Sequence, residues 1–495
     1  MTPTAKHTPS RYKNVIGKYR VRRSSACQNC RTCITACPHG VFTDSGGKVL
    51  LPLDHLCFGP ACAAGEGSCV HRCPNQALTV TLNPMYEVLG DRRWNADLVM
   101  STWYMAETGR VPENGLEYRI GGSGGGFDRM EIVLPDGPVD PQALKEVSTR
   151  ILLNRRKDDR PKLSIGLPVY GGGMSFGSVN LATMISRVRA LTAFDSLLCT
   201  GEGGFPDALV PHRDHVITQV ATGLFGVREE TIQYVPVVEF KYAQGAKPGL
   251  GGHLLGDKVT PAVARIREAV VGTSLFSPFP FHSVYSVEDH LKHLDWIKQV
   301  NPRALLAVKV STPTDVDMVA VGSYYAGAHI IHLDGSYGGT GAAPDIAKKN
   351  IAMPIEYAIP KVHRFLVQEG VRDEVTLIAS GGLRTAHDIA KAIALGADGV
   401  VTGTADLVAL ECLRCHNCES GRGCPRGIAT TDPELRLQLD EDWGTQRLIN
   451  LYSCWRDQLA EILVRLGLTS ISELVGRTDC LRHLDYEPSG GGRQR

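Results

Sequence analysis

The chain has 495 residues, 43% of them hydrophobic and 21% charged, so it can bury a sizeable core and does not read as disordered. Lys plus Arg number 53 against 52 Asp plus Glu, a formal net charge of +1, which argues against a dominant nucleic-acid surface or a polybasic membrane patch. No run approaches the roughly 18 apolar residues that span a bilayer, and the start MTPTAKHTPSRYKN has no signal-peptide core, so a cytoplasmic protein with no membrane and no nucleic-acid partner is expected.

Residues 1–20 read as a mobile tail and 21–85 as a cysteine-rich domain. Eight of the 15 cysteines fall between positions 27 and 73, and four between 412 and 424. Such clustering in a long cytosolic chain points to metal ligation, because disulfide scaffolds belong to short secreted domains. Cys27, Cys30, Cys33 and Cys37, followed by Pro38, match the C-x2-C-x2-C-x3-C-P run of bacterial ferredoxins. Cys57, Cys62, Cys69 and Cys73, followed by Pro74, form a stretched second half. By the two-cluster rule, Cys27, Cys30, Cys33 and Cys73 would hold one [4Fe–4S] cluster, and Cys37, Cys57, Cys62 and Cys69 the other. Zinc is the weaker alternative for these eight.

Residues 86–160 read as a connecting segment containing GGSGGG (121–126). From 161 to 430 short apolar runs alternate with amphipathic stretches. Candidate strands lie at 164–169, 196–200, 237–241, 304–310, 329–333, 376–380 and 399–403, with helical patterns such as ARIREAVVG, VEDHLKHLDWIKQV and AHDIAKAIALG between them. The alternation gives an α/β fold with a parallel sheet, and the glycines favour a (β/α)8 barrel. Glycine-rich segments follow the strands: GGGMSFGS, TGEGGFPD, AQGAKPGLGGH, DGSYGGTGAAP, SGGLRT and GTADL. Loops after strand C-termini line a barrel's active site, and six of them at one mouth would wrap a large planar ligand. Gly381, Gly382, Gly403 and Thr404 occupy the expected phosphate site after strands seven and eight. His332, in the apolar run HIIHL, reads as a hydrogen-bonded core histidine, and Cys199, Cys454 and Cys480 as buried thiols. The third cysteine group is Cys412, Cys415, Cys418 and Cys424, before Pro425; four thiolates there suit zinc or an iron–sulfur cluster. Residues 431–495 read as a helical cap.

The stretches GMSFGS, TGEGG, FKYAQGAKPG, SVYSVEDH, GGTGAAP, SGGLRT, GTADL, CPRGIAT and LGLTSISELVGRTD run in one order from about 160 to 480. In these the chain resembles the FMN-binding synthase domain of the glutamate synthase family, and with its N-terminal cysteines it is most similar to the short archaeal-type members. The resemblance implies an FMN site built from Met174, Ser175, Lys241, Gln244, Asp334, Gly338, Gly339, Gly381, Gly382, Gly403 and Thr404. It implies reduction of 2-iminoglutarate, formed from 2-oxoglutarate and ammonia, to L-glutamate. Lys241 corresponds to the lysine near the flavin, Lys247 and Arg267 to cationic contacts of the 2-oxo acid, and Glu202 to the acid by the ammonia entry. The third cysteine group becomes the site of a [3Fe–4S] or [4Fe–4S] cluster that delivers electrons to the flavin.

The family pattern is not kept everywhere. Where the family has GEGGQ this chain has Leu250 and His253, placing His253 among the substrate-binding residues. GHDGGTGA is replaced by a segment with Ser336 and Tyr337. An amine other than ammonia is therefore an open alternative, as in N-methylglutamate synthase subunits; so is a non-catalytic electron-transfer subunit. The start Met1-Thr2-Pro3 lacks the catalytic cysteine of the family's glutaminase. Free ammonia or a donor subunit is expected, together with a ferredoxin or reductase partner.

Overall fold

The computed structural model describes residues 3–12, 17–59, 62, 65–112, 125–340, 343, 346–348 and 350–486. Strand β1 (Tyr19–Arg23) pairs antiparallel with β2 (Leu78–Leu82), and the first two cysteine groups lie between them in the chain. Val21, Cys33, Val41, Phe42, Val49 and Leu78 form a separate small core there. A core of that size cannot hold a unit by apolar burial alone. Helix α1 (Ala96–Thr108) begins at Asn95, whose side chain accepts from the Leu98 amide at 3.0 Å.

Eight parallel strands then close into a barrel: β3 (Val169–Gly171), β4 (Leu198–Cys199), β5 (Val216–Ala221), β6 (Val237–Lys241), β7 (Leu305–Ser311), β8 (Ile330–Asp334), β9 (Thr376–Ser380) and β10 (Gly399–Thr402). β5, β6, β8, β9 and β10 are buried along their whole length, as expected of parallel strands covered on both faces. Two expectations are corrected here. The run at 164–169 contributes only Val169 to the barrel, because Ser164–Ile165 pairs antiparallel with Ile151–Leu152 outside it. The eighth strand is β5, which was not anticipated. Its sequence VITQVA puts Thr218 and Gln219 inside a buried strand, and the segment before it is an irregular 3-10 stretch containing Pro211.

The outer layer includes α2 (Leu181–Ala193), α4 (Val287–Val300), α5 (Val316–Tyr325), α6 (Ile355–Gln368), α7 (Ala386–Ala394) and α8 (Thr404–Ala409), while the short α3 (Pro261–Arg267) lies between β6 and β7 in the chain and has its own small core. Helix α3 starts at Thr260, whose side chain caps the Val263 amide, with Pro261 in its first turn. It stops at Arg267 because Glu268 turns left-handed, φ 54°, which shortens the helix expected through residue 272. The 25-residue helix α9 (Glu441–Arg465), capped by Asp440, packs across α2 and α1 and shares their core.

Residues 3–12 are not a free tail. The Lys6 amide donates to Asn450 at 3.0 Å and the Trp443 indole donates to the Pro9 carbonyl at 2.9 Å. Arg11 pairs with the buried Glu411 at 3.2 Å, so this segment lies along the start of α9. Among the described residues, no helix is long and apolar enough to cross a membrane.

Candidate active site

The register of β6 against β7 sets Lys241 beside Lys309 at the C-terminal end of the barrel. Two like charges in a half-dry site need separate counter-charges. Lys241 Nζ lies 3.2 Å from Glu202 Oε2, and Lys309 Nζ lies 3.3 Å from Asp334 Oδ2. Burial works against the charge on Lys309, yet Asp334 and Glu239 outweigh it and raise its pKa. Lys309 was not singled out from the sequence; the available signal is a lysine inside the apolar run ALLAVKV, two residues from the strand end.

Glu202 sits at the centre of the expected cationic contacts. Burial alone would raise its pKa, but Lys241, Lys247 and Arg267 hold the carboxyl below its ordinary value. A Cβ added at Gly252 would fall on the Glu202 carboxylate, so the loop carrying Leu250 and His253 lies directly on this acid. Lys247 is buried; that burial and the neighbouring Lys241 charge push its pKa down to about 8, against Glu202 and Glu419. Arg267 is 4% exposed and is no solvated helix charge. Its Nη2 donates to Ser175 Oγ at 2.7 Å and to the Phe176 carbonyl at 3.0 Å. Burial lowers its pKa to about 10, against Glu202, and among the described residues its buried Nε has no hydrogen-bond partner. His253 is half-buried over Phe276, and burial with the Lys247 charge keeps it neutral.

Beneath this pocket the barrel interior holds a continuous polar network. Gln219 donates to Glu239 Oε1 at 2.6 Å, Glu239 Oε2 meets His332 Nδ1 at 2.9 Å, and His332 Nε2 meets Ser380 Oγ at 2.8 Å. Ser380 donates to Asp334 Oδ1 at 2.6 Å, and Asp334 Oδ2 accepts from the Gly245 amide at 3.1 Å. His332 is thus the hydrogen-bonded core histidine expected. Asp334 braces the loop that carries Gln244, itself half-buried. Cys199, Cys454 and Cys480 are all buried.

The glycine loops meet around the same mouth. Gly381 and Gly382 have φ of +103° and +100°, and a Cβ at Gly381 would strike the Gly335 backbone. A Cβ at Gly339 would meet Thr404 Oγ1 at 2.6 Å, whereas one at Gly403 would meet no atom within 4 Å. Gly338 lies beside Asp334, and the half-buried Met174 stands next to Ser175 in the first loop. The GTADL loop is anchored from behind. Asp406 accepts from Arg187 Nε at 2.9 Å, Thr402 Oγ1 at 3.0 Å and Tyr452 Oη at 2.9 Å, all buried. Residues 121–124 of GGSGGG and residues 341, 342 and 344 of GGTGAAP lie outside the described residues; Gly125 and Gly126 pack against Arg93 and Tyr337.

The N-terminal cysteines divide between two hollows. One is lined by Cys27, Cys30, Cys33 and Cys73, the other by Cys37, Cys57, Cys62 and Cys69. Four thiols around each hollow are the donor set of a cubane. Among the described residues, no three His, Cys, Asp or Glu side chains are placed to hold a single metal ion. In the third group Cys424 is buried, Cys412 and Cys418 are half-buried and Cys415 is exposed. Ion pairs clamp this loop, among them Arg414 to Asp91 at 2.8 Å and Lys258 to Glu419 at 3.1 Å.

The family model "Conserved region in glutamate synthase" matches residues 139–469. An archaeal-type glutamate synthase [NADPH] of Thermotoga maritima is 34% identical over 482 residues, 92% of each chain. The archaeal glutamate synthase [NADPH] of Methanocaldococcus jannaschii is 34% identical over 502 residues, 96% of each. The large chain of glutamate synthase [NADPH] from Azospirillum brasilense is 37% identical over 319 residues, 63% of this chain and 21% of that one. Among solved structures, the flavin-binding domain of baker's yeast flavocytochrome b2 aligns with a TM-score of 0.45 at 15% identity, covering 82% of this chain and 84% of that one. Matched over most of its barrel by the family model and along nearly its full length by the archaeal-type relatives, the chain belongs to the glutamate synthase family.

Proposed function

We propose that the chain is an iron–sulfur flavoenzyme that reductively aminates 2-oxoglutarate, through 2-iminoglutarate, to L-glutamate. The observation that carries this reading is Glu202 set among the buried cations Lys241, Lys247 and Arg267 at the barrel mouth of a chain from this family. The glycine loops, with Lys241 and Lys309, are the residues that would hold FMN, which when bound would supply hydride for reducing an imine. Clusters held by the cysteine loops would supply single electrons, received from a ferredoxin or a partner reductase. The relatives' names carry NADPH; for this chain a nicotinamide reductant would act through such a partner.

The chain's own residues account for binding and for positioning the amine. A dicarboxylate needs cations that are already desolvated, and Lys247 with the free Nε face of Arg267 provides them. Glu202, held ionised by its neighbours, can hold an ammonium ion by its charge and position the amine, which attacks the carbonyl once its proton has passed to solvent. The same lysines that keep Glu202 charged keep it from serving as an acid.

A pH profile follows. With Lys247 near 8, the free enzyme loses a substrate-binding charge as pH rises through that value. The kcat/KM for the 2-oxo acid is therefore expected to fall tenfold per unit above about pH 8. Lys247→Arg is expected to move the fall to higher pH; an identical profile in the variant would remove Lys247 from the assignment.

The functional test is anaerobic. The purified chain with its iron and flavin intact is reduced chemically and mixed with 2-oxoglutarate plus ammonium or methylamine, while flavin reoxidation and the amino acid formed are followed. Glutamate from ammonium supports the proposal. N-methylglutamate from methylamine favours the second reading, which rests on Leu250 and His253 in the loop whose Gly252 lies against Glu202. No reoxidation with either amine defeats the catalytic reading of the isolated chain.

A further inference from the structure

The third cysteine loop repeats the first one in backbone conformation as well as spacing. Cys27-x2-Cys30-x2-Cys33 and Cys412-x2-Cys415-x2-Cys418 have the same intervals. In the first, Asn29 and Arg31 stand at φ 55° and 64°; in the third, Arg414 and His416 stand at φ 59° and 60°. These are equivalent positions, just before and just after the middle cysteine. Each loop then passes into a short helical turn, with Arg31 and His416 as matching left-handed N-caps at ψ 3° and 15°.

Left-handed backbone is costly for residues with a side chain, and it persists where a site requires it. Six of the nine positive-φ non-glycine residues among those described, Asn29, Arg31, Gln76, Glu411, Arg414 and His416, flank the cysteine groups. Left-handed residues on both sides of the middle cysteine are the kind of backbone that forms anion-binding concavities of amide groups, suited to an anionic iron–sulfur core. The middle cysteine, Cys30 or Cys415, is the exposed one in both loops.

The loops differ in the fourth thiol. Cys37 lines the other N-terminal hollow, and the distant Cys73 completes the first set. In the third loop Cys424 stays local, and its charge acts on both Cys412 and Cys418.

The geometry points to a [4Fe–4S] cluster held by Cys412, Cys415, Cys418 and Cys424, with Cys415 a true ligand, rather than to the [3Fe–4S] alternative held by three of them. This deepens the iron–sulfur part of the proposed function and is independent of which amine is used. The four thiols lose their protons to solvent on binding, and the oxidised four-iron core has an even electron count. The cluster would border the substrate pocket. Lys258 Nζ donates to the Cys418 carbonyl at 2.6 Å and pairs with Glu419, whose charge reaches Lys247 and His253.

The test is spectroscopic and uses the full chain purified anaerobically. Oxidised wild type is expected to be silent in electron paramagnetic resonance and to carry about 12 iron atoms per chain, from three four-iron clusters. Cys415→Ala is expected to show the odd-electron signal of an oxidised three-iron cluster, or to lose all iron of that site. Cys30→Ala is the parallel control at the first loop, and Cys415→Ser guards against a folding defect. A three-iron signal of about one spin per chain in wild type, unchanged in Cys415→Ala, would overturn the assignment, as would stoichiometric zinc at that site. Because iron content and spectra are read without substrate, failure here is distinct from failure to aminate a 2-oxo acid.

Discussion

Asp406→Ala is expected to lower folding stability by about 3–5 kcal/mol, the cost of removing one partner of a buried ion pair. The carboxylate serves three donors, Arg187, Thr402 and Tyr452, and the Arg187 and Asp406 side chains have no solvent exposure. No water can reach the Arg187 guanidinium to replace the lost charge, and a Tyr452 hydroxyl without its acceptor adds its own desolvation cost. These contacts join α2, the end of β10 and α9. The loss should therefore appear as a lower apparent midpoint in thermal and urea unfolding of the whole chain. Flavin retention should fall with it, because Asp406 anchors the loop that carries Gly403 and Thr404. Asp406→Asn keeps the shape and part of the hydrogen bonding, and is expected to cost less. A midpoint unchanged in Asp406→Ala would show that the barrel does not depend on this anchor.

Lys247→Ala and Arg267→Ala are each expected to cut kcat/KM for the 2-oxo acid by about 10–100-fold. A hydrogen bond to a charged group contributes about 1.5–3 kcal/mol, and each 1.4 kcal/mol is tenfold. Most of the loss should appear in KM, since the contacts are made to carboxylates that do not change charge during the reaction. Arg267→Ala should also lower kcat, because Arg267 holds the Ser175 and Phe176 loop and helps keep Glu202 ionised. Arg267→Lys keeps the charge without the planar fork and should fall between. The double variant should lose less than the product of the two singles, as both cations act on the same Glu202. Iron and flavin content checks that the chain is intact. Full turnover in either single variant, with KM unmoved, would instead favour an electron-transfer subunit whose barrel has no substrate site.

The parts legible in the sequence are those set by local chemistry. The intervals between cysteines fix how far apart thiols can lie along a short loop, and the allocation to two sets of four needs only the chain order. Glycine runs after apolar runs mark where backbone must turn closely, so the mouth of the barrel could be located and its loops ordered. Lys247 and Glu202 stand in such loops, between glycines, and Lys241 closes the strand before one, where helical periodicity offers no competing account of a charge.

Tertiary structure decided what depends on partners far apart in the chain. Strand β5 is hidden in the sequence because Gln219 is polar, and the Glu239 carboxylate beside it on β6 makes its burial acceptable. Lys309 looks like a break in an apolar strand until the register of β7 with β8 brings Asp334 to it. Arg267 sits in a helical pattern that would equally suit a solvated charge; the left-handed turn at Glu268 ends that helix and leaves the guanidinium buried against Ser175. Residues 3–12 have the composition of a loose tail, yet their backbone hydrogen-bonds to side chains of α9 more than 400 positions away. Spacing and composition act within a few residues and survive in the sequence alone, whereas a buried charge is tolerable only beside its counter-charge, and the closed barrel is what brings the two together.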